Sequence, residues 1–120
     1  MDGSTDVDST PVELTAGFAA LADPVRLRLI GALAGGGRCV CDLQEQVPVA
    51  ANLLSYHLRV LREARLVTAF KRGRWVNYRL DGAGFAALWA RAAVAGVPLP
   101  GEQVTAAQAG RALCDTAVPR

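Results

Sequence analysis

The chain has 120 residues, of which 52% are apolar, 20% charged and 6% aromatic. That length fits a single domain, large enough to bury a core unaided. The composition excludes a wholly disordered chain, a collagen-like chain and a multidomain enzyme. The net charge of +2 conceals an asymmetry: residues 24–79 hold ten basic side chains and three acids, whereas the flanks hold three basic and eight acidic ones. A basic middle between acidic ends points to a polyanionic partner for the middle.

No apolar run approaches the ~18–20 residues needed to cross a bilayer. The opening MDGSTDVDST is acidic and polar, the wrong chemistry for a secretory signal or a transit peptide. A soluble cytoplasmic protein is expected. Its three cysteines, Cys39, Cys41 and Cys114, are an odd number, which speaks against a disulfide framework. With one histidine, His57, any metal site must rely on sulfur or carboxylate.

Residues 1–10 read as a disordered acidic tail. Pro11 suits a first helical turn with Thr10 as N-cap, and Val12, Leu14, Phe18 and Leu21 recur at helical spacing, predicting a helix over 11–22. Asp23-Pro24 is a capping carboxylate followed by proline at the first helical position. Val25, Leu27, Leu29, Ile30 and Leu33 give that second helix its buried face, with Arg26 and Arg28 pointing elsewhere, until Gly35-Gly36-Gly37 stops it. Residues 38–41 suit an extended segment. Asp42, with Glu45 three residues on, resembles a capping box for a short helix over 42–47. Pro48 interrupts, and a longer helix resumes over 50–64, with Leu54, Leu58 and Leu61 on one face and Ala50 a poor N-cap. Short helix, tight turn and longer helix make a helix-turn-helix. From Leu66 to Leu80 the period changes to two around Lys71-Arg72-Gly73-Arg74, predicting a hairpin with a basic tip. Residues 83–95 read as a further helix, with Phe85, Leu88, Trp89 and Ala92 on one stripe. A break at 96–101 precedes a short Ala-rich helix over 102–113. The predicted fold is mainly α with a β-hairpin wing (α+β): a winged helix-turn-helix over 11–95, and a C-terminal extension, 96–120, carrying Cys114.

Two constellations carry chemistry. If 50–64 is a recognition helix, Asn52, Ser55, Tyr56 and Arg59 share its outward face near the N-terminal half, the part that meets base edges in a major groove. Asn pairs bidentately with adenine, and Ser reaches most bases. Arg59 and Arg62 reach phosphates, and Lys71, Arg72 and Arg74 suit phosphates or a minor groove. The bland reading is an amphipathic helix beside a solvated hairpin tip. The second constellation is Cys39-Val40-Cys41-Asp42. On an extended backbone, residues i and i+2 face one side, with Cα atoms roughly 6.6 Å apart. Two thiolates there suit a soft or borderline ion such as As(III), Cd(II), Pb(II) or Zn(II); alternatively both cysteines are small core residues. An enzyme is not expected: His57 is the only candidate base, and no C-x-x-C redox motif exists.

Four segments in order, Leu21-Ala-Asp-Pro-Val-Arg-Leu-Arg-Leu29, Cys39-Val-Cys-Asp-Leu43, Leu54-Ser-Tyr-His-Leu-Arg-Val-Leu-Arg-Glu-Ala-Arg-Leu-Val67 and Gly73-Arg-Trp-Val-Asn-Tyr-Arg-Leu80, resemble the ArsR/SmtB family of metal-sensing winged-helix repressors. The resemblance covers about residues 12–95. It implies a homodimer paired through the first and last helices, 11–22 and 83–95 here, that binds a palindromic operator in double-stranded DNA and lets go when metal binds. The family's Leu-Cys-Val-Cys-Asp-Leu-Cys arsenite motif falls on Arg38 to Gln44. Cys39 and Cys41 match its first two ligands, and Gln44 replaces the third cysteine. As(III) prefers three sulfurs, so Cys114 becomes the candidate third ligand if the C-terminal tail folds back; otherwise a two-thiolate site with water has to serve. The family's cadmium/lead sensors add cysteines from an N-terminal extension, which this N-terminus lacks. Its zinc and nickel sensors use His, Asp and Glu on the last helix, where 81–95 has only Asp81. The resemblance therefore implies As(III), or Sb(III), as inducer, ahead of Cd(II) or Pb(II). Two rivals remain: a thiol-redox DNA-binding switch using the same cysteines, and a structural dimerisation module with an incidental basic face.

Overall fold

A computed structural model of the protein describes residues 12–98 and 101. The expectations for the acidic tail over 1–10, the helix over 102–113 and the place of Cys114 lie outside the described residues. Eight elements follow in chain order: α1 (Val12–Leu21), α2 (Pro24–Leu33), β1 (Arg38–Cys39), α3 (Val40–Gln46), α4 (Ala51–Glu63), β2 (Val67–Arg72), β3 (Trp75–Leu80) and α5 (Gly82–Val94). The helix-turn-helix is α3–α4, and the wing is β2–β3. Every predicted element within the described range is present.

Local chemistry sets the boundaries. Asp23 caps α2 by accepting from the backbone N–H groups of Val25 (2.8 Å) and Arg26 (3.1 Å), with Pro24 in the first turn. Those donors hold the Asp23 carboxyl below its ordinary pKa, the Arg26 N–H foremost. Helix α4 starts at Ala50 without a side-chain cap. It ends in a Schellman motif: Leu66 N–H donates to Leu61 O (3.0 Å) and Arg65 N–H to Arg62 O (2.9 Å), with Arg65 at φ 63° closing the turn. Gly73 takes φ 64° in the two-residue hairpin loop, the position where a II′ turn favours glycine.

Two expectations are corrected. Leu27 belongs to no buried face: it is 54% exposed, whereas Leu29 and Leu33 are sealed. Two residues along a helix rotate the side chain by about 200°, so Leu27 cannot share a stripe with Leu29. The short helix begins at Val40, not Asp42, so only Arg38 and Cys39 are extended. Cys39 itself is the N-cap, its Sγ accepting from Asp42 N–H at 3.4 Å. Asp42 moves into the first turn, where its charge complements the helix dipole.

The core is a leucine cluster. Leu54, Leu58 and Leu61 of α4 pack with Leu29 and Leu33 of α2, Leu43 of α3, Leu66 and Val67 at the root of the wing, and Leu88 of α5. Helix α1 lies on α5, with the Phe18 and Trp89 rings edge to face at 5.9 Å. The sheet has the order β1-β3-β2, antiparallel throughout. Its outermost strand, β1, pairs Arg38 with Tyr78 and Cys39 with Asn77, bringing the cysteine segment against the wing.

Gly84 fixes how α5 leaves the wing. Asp81 caps α5 by accepting from Gly84 N–H (2.9 Å), and a Cβ on Gly84 would collide with the Arg65 carbonyl oxygen. That neighbour is backbone and cannot swing aside. Gly84→Ala is expected to destabilise the protein by about 1–3 kcal/mol, as overpacking does, read as a lower urea midpoint. An unchanged midpoint would show that α5 shifts freely.

Candidate functional site

The outward face of α4 is assembled as its periodicity requires. Leu54, Leu58 and Leu61 point into the core, and Asn52, Ser55, Tyr56, Arg59 and Arg62 are exposed on the other side. The Arg59 guanidinium sits 5.8 Å from the Tyr56 ring centroid, a cation–π distance. Lys71, Arg72 and Arg74 stand exposed around the hairpin loop. Helix face and hairpin tip form two basic projections from one rigid core.

One residue thought to point outward does not. Arg26 is half-buried. Its Nε donates to Ala20 O (2.6 Å), and its Nη1 lies 2.9 Å from His57 Nδ1. Arginine only donates, so His57 accepts through Nδ1, fixing its Nε2–H tautomer. His57 is buried on the inner face of α4. It is a positioning residue, tying the candidate recognition helix to α2 and the end of α1. Helical periodicity assigns His57 no such role, because its partner is 31 residues away.

The cysteines stand where β1 becomes α3. Cys39 is half-buried and Cys41 exposed. Both line the same groove, and their neighbourhood shapes the Cys41 thiol. Its pKa is raised above the ordinary thiol value, first by desolvation at the packed surface, then by the charge and hydrogen bond of the neighbouring Cys39 side chain and by the Asp42 carboxylate. Gln44, at the place of the motif's third cysteine, is otherwise engaged: its Nε2 donates to Val49 O and closes the turn of the helix-turn-helix. Among the described residues no three His, Cys, Asp or Glu side chains gather around one point.

Both cysteines open into a groove of about 540 Å³ between α3 and the outer face of the wing. Cys39 shares that face with its pair-mate Asn77, and Phe70, Arg72, Trp75 and Arg79 complete the wing side. Trp75 is 56% exposed, and the Arg79 guanidinium lies 4.9 Å from the Phe70 ring centroid. Sequence reading passed over Phe70, Trp75 and Arg79. Their period-2 spacing signalled only a strand, and the facing wall comes from residues some 30 positions away.

This fold and these two surfaces define a winged helix-turn-helix of the regulatory class. The description "Bacterial regulatory protein, arsR family" matches residues 23–69. A crystal structure titled "Possible transcriptional regulator for arsenical resistance" is 40% identical, with a TM-score of 0.60, covering 68% of this chain and 84% of that one. The chain belongs to the ArsR family of bacterial regulatory proteins. A "Transcriptional repressor SmtB homolog" from Synechocystis sp. is 51% identical over 63 residues, which is 52% of this chain and 48% of that one. The "Arsenical resistance operon repressor" of Bacillus subtilis is 45% identical over 65 residues, 53% of this chain and 62% of that one. The matched segment thus spans about half to three-fifths of these curated relatives. No helix among the described residues is long and apolar enough to cross a membrane.

The thiol geometry makes a direct prediction. Because the Cys41 pKa is raised, little of it is thiolate at neutral pH, and its alkylation should speed up about tenfold per pH unit until the thiol ionises. Cys39→Ala removes the neighbouring thiol and should make Cys41 react faster at pH 7, followed by iodoacetamide labelling and peptide mass spectrometry. An unchanged rate would show that the two thiols do not interact.

Proposed function

We propose that the protein is a metalloid-responsive transcriptional repressor, binding a palindromic operator as a homodimer and dissociating when As(III), or Sb(III), binds Cys39 and Cys41. The observation that carries this reading is that Cys39 and Cys41 open into one groove at the joint between β1 and α3, in a chain related to arsenical resistance repressors. Two thiols side by side are the donor set a thiophilic centre takes. Cys114, the chain's remaining cysteine, is the chain's own candidate for a third sulfur.

In the ligand-free dimer, paired through α1 and α5, the two α4 helices enter successive major grooves one turn apart. Asn52, Ser55 and Tyr56 meet base edges there, and Arg59, Arg62, Lys71, Arg72 and Arg74 meet phosphates or the minor groove. Cys39 and Cys41 would hold As(III) as thiolates, which would draw the two side chains toward one centre. That strains the start of α3 and, through β1, the wing, so helix and wing no longer fit the DNA at once. The same adjacent thiols support a second reading, in which oxidation of the pair releases DNA and dithiothreitol reverses it. Cd(II) or Pb(II) at the cysteines is the remaining variant.

Fluorescence anisotropy tests this, using reduced full-length protein on DNA from upstream of its own gene at fixed salt, since phosphate contacts make affinity salt-dependent. Arsenite or antimonite is expected to weaken binding by about 5–150-fold, the usual range of such coupling, with Cd(II), Pb(II) and Zn(II) less effective. The Cys39→Ser/Cys41→Ser double variant should bind DNA and stay bound. Release of the double variant by arsenite, or no release of the wild type, would overturn the assignment.

A further inference from the structure

We infer that the groove beside Cys39 and Cys41 binds the organic part of a thiol–arsenite complex, a small carboxylate-bearing thiol whose sulfur fills the third place on arsenic. This rests on the As(III) reading and specifies what that site takes.

The groove is far larger than a bare ion needs. An arsenic atom held by two protein sulfurs leaves one further bond, and a hydroxide there needs little more than the ~30 Å³ share of one water. The groove is about 540 Å³, the scale of a site for an organic molecule. Its far wall is unlike that of a bare ion site. Arg72 and Arg79 supply two guanidiniums, the side chain best matched to carboxylates. Phe70 and the exposed Trp75 supply apolar faces for a carbon chain. Asp42 lies on the near wall beside the cysteines, suiting an ammonium of an amino-acid-like thiol. Gln44, at the place of the third cysteine in the motif the chain resembles, offers no sulfur and is bonded to Val49 O.

The exchange balances. A monothiolate arsenite, RS–As(OH)2, meets the Cys39 and Cys41 thiols. Two As–O bonds break and two As–S bonds form. The two thiol protons leave with the two hydroxides as water, arsenic stays trivalent, and RS– remains attached. No oxidant or reductant is needed.

The test uses reduced full-length protein and arsenite, with either glutathione, which carries carboxylates, or 2-mercaptoethanol, which does not, at matched thiol concentration. Native mass spectrometry should show arsenic plus one glutathione for each cysteine pair. Half-release of DNA should need about tenfold less arsenite with glutathione than with mercaptoethanol, the effect of one charge-assisted contact. Arg79→Gln should shrink that advantage to about twofold or less while leaving release in mercaptoethanol intact. An arsenic adduct that carries no glutathione, with half-release indifferent to the thiol, would overturn the inference and leave the repressor reading standing. Loss of arsenite binding in Cys114→Ser with both thiols would also overturn it, giving the third place to Cys114. If arsenic does not bind the wild type with either thiol, the As(III) reading itself fails and the inference falls with it.

Discussion

The proposed function depends on a strand two residues long. Arg38 and Cys39 form β1, and they pair with Tyr78 and Asn77 in the middle of the wing strand β3. Arg38 also donates from Nε to Ala32 O at 2.7 Å, anchoring the same strand to the end of α2. One residue later the chain is already helical, with Cys39 as the cap of α3. Wing, helix-turn-helix and cysteine pair therefore meet at a single joint. A two-residue ladder is weak, each backbone hydrogen bond contributing about 1 kcal/mol net. It is of the same order as the ~1–3 kcal/mol that couples effector to DNA in regulatory proteins. In the proposed mechanism a joint that weak can be reset by a ligand at the cysteines, as a long central strand could not.

The remaining framework is stiff by comparison. The leucines of α4 are sealed against α2, α3 and the root of the wing, and Arg26 ties His57 on α4 to the end of α1. The Schellman turn after α4 and the close fit of Gly84 on the Arg65 carbonyl oxygen set where the wing and α5 begin. In the proposed mechanism this stiffness matters as much as the weak joint. A recognition helix packed on its whole inner face moves as a body, so a disturbance at β1 reaches DNA as a change in the angle between α4 and the wing.

Much of this was legible in the sequence, wherever the cause is local. Asp23-Pro24, the leucine spacing of 54, 58 and 61, and Gly73 between two period-2 runs each act through residues within one turn of the chain, and the elements they predict are present. The errors come where a neighbour in space decides. Asp42 had the right chemistry for a cap, but β1 pairing with β3 holds Cys39 extended and gives its sulfur that place. Arg26 read as a surface arginine because His57, 31 residues on, is invisible to helical periodicity. The cysteine pair was legible as a donor set. The groove around it was not, since Trp75 and Arg79 face Cys39 only through the register of β1 on β3. The expectations for the tails, and Cys114 with them, stand outside the described residues.

In the proposed mechanism, ligand at the cysteines acts through the β1–β3 joint. Amide hydrogen exchange on the DNA-free protein, with and without arsenite, tests it most directly. Protection is expected to change at Cys39 and across 75–79, with the buried face of α4 around Leu58 and Leu61 unchanged. Arsenite that alters exchange in α4 while leaving β1 and β3 untouched would contradict it.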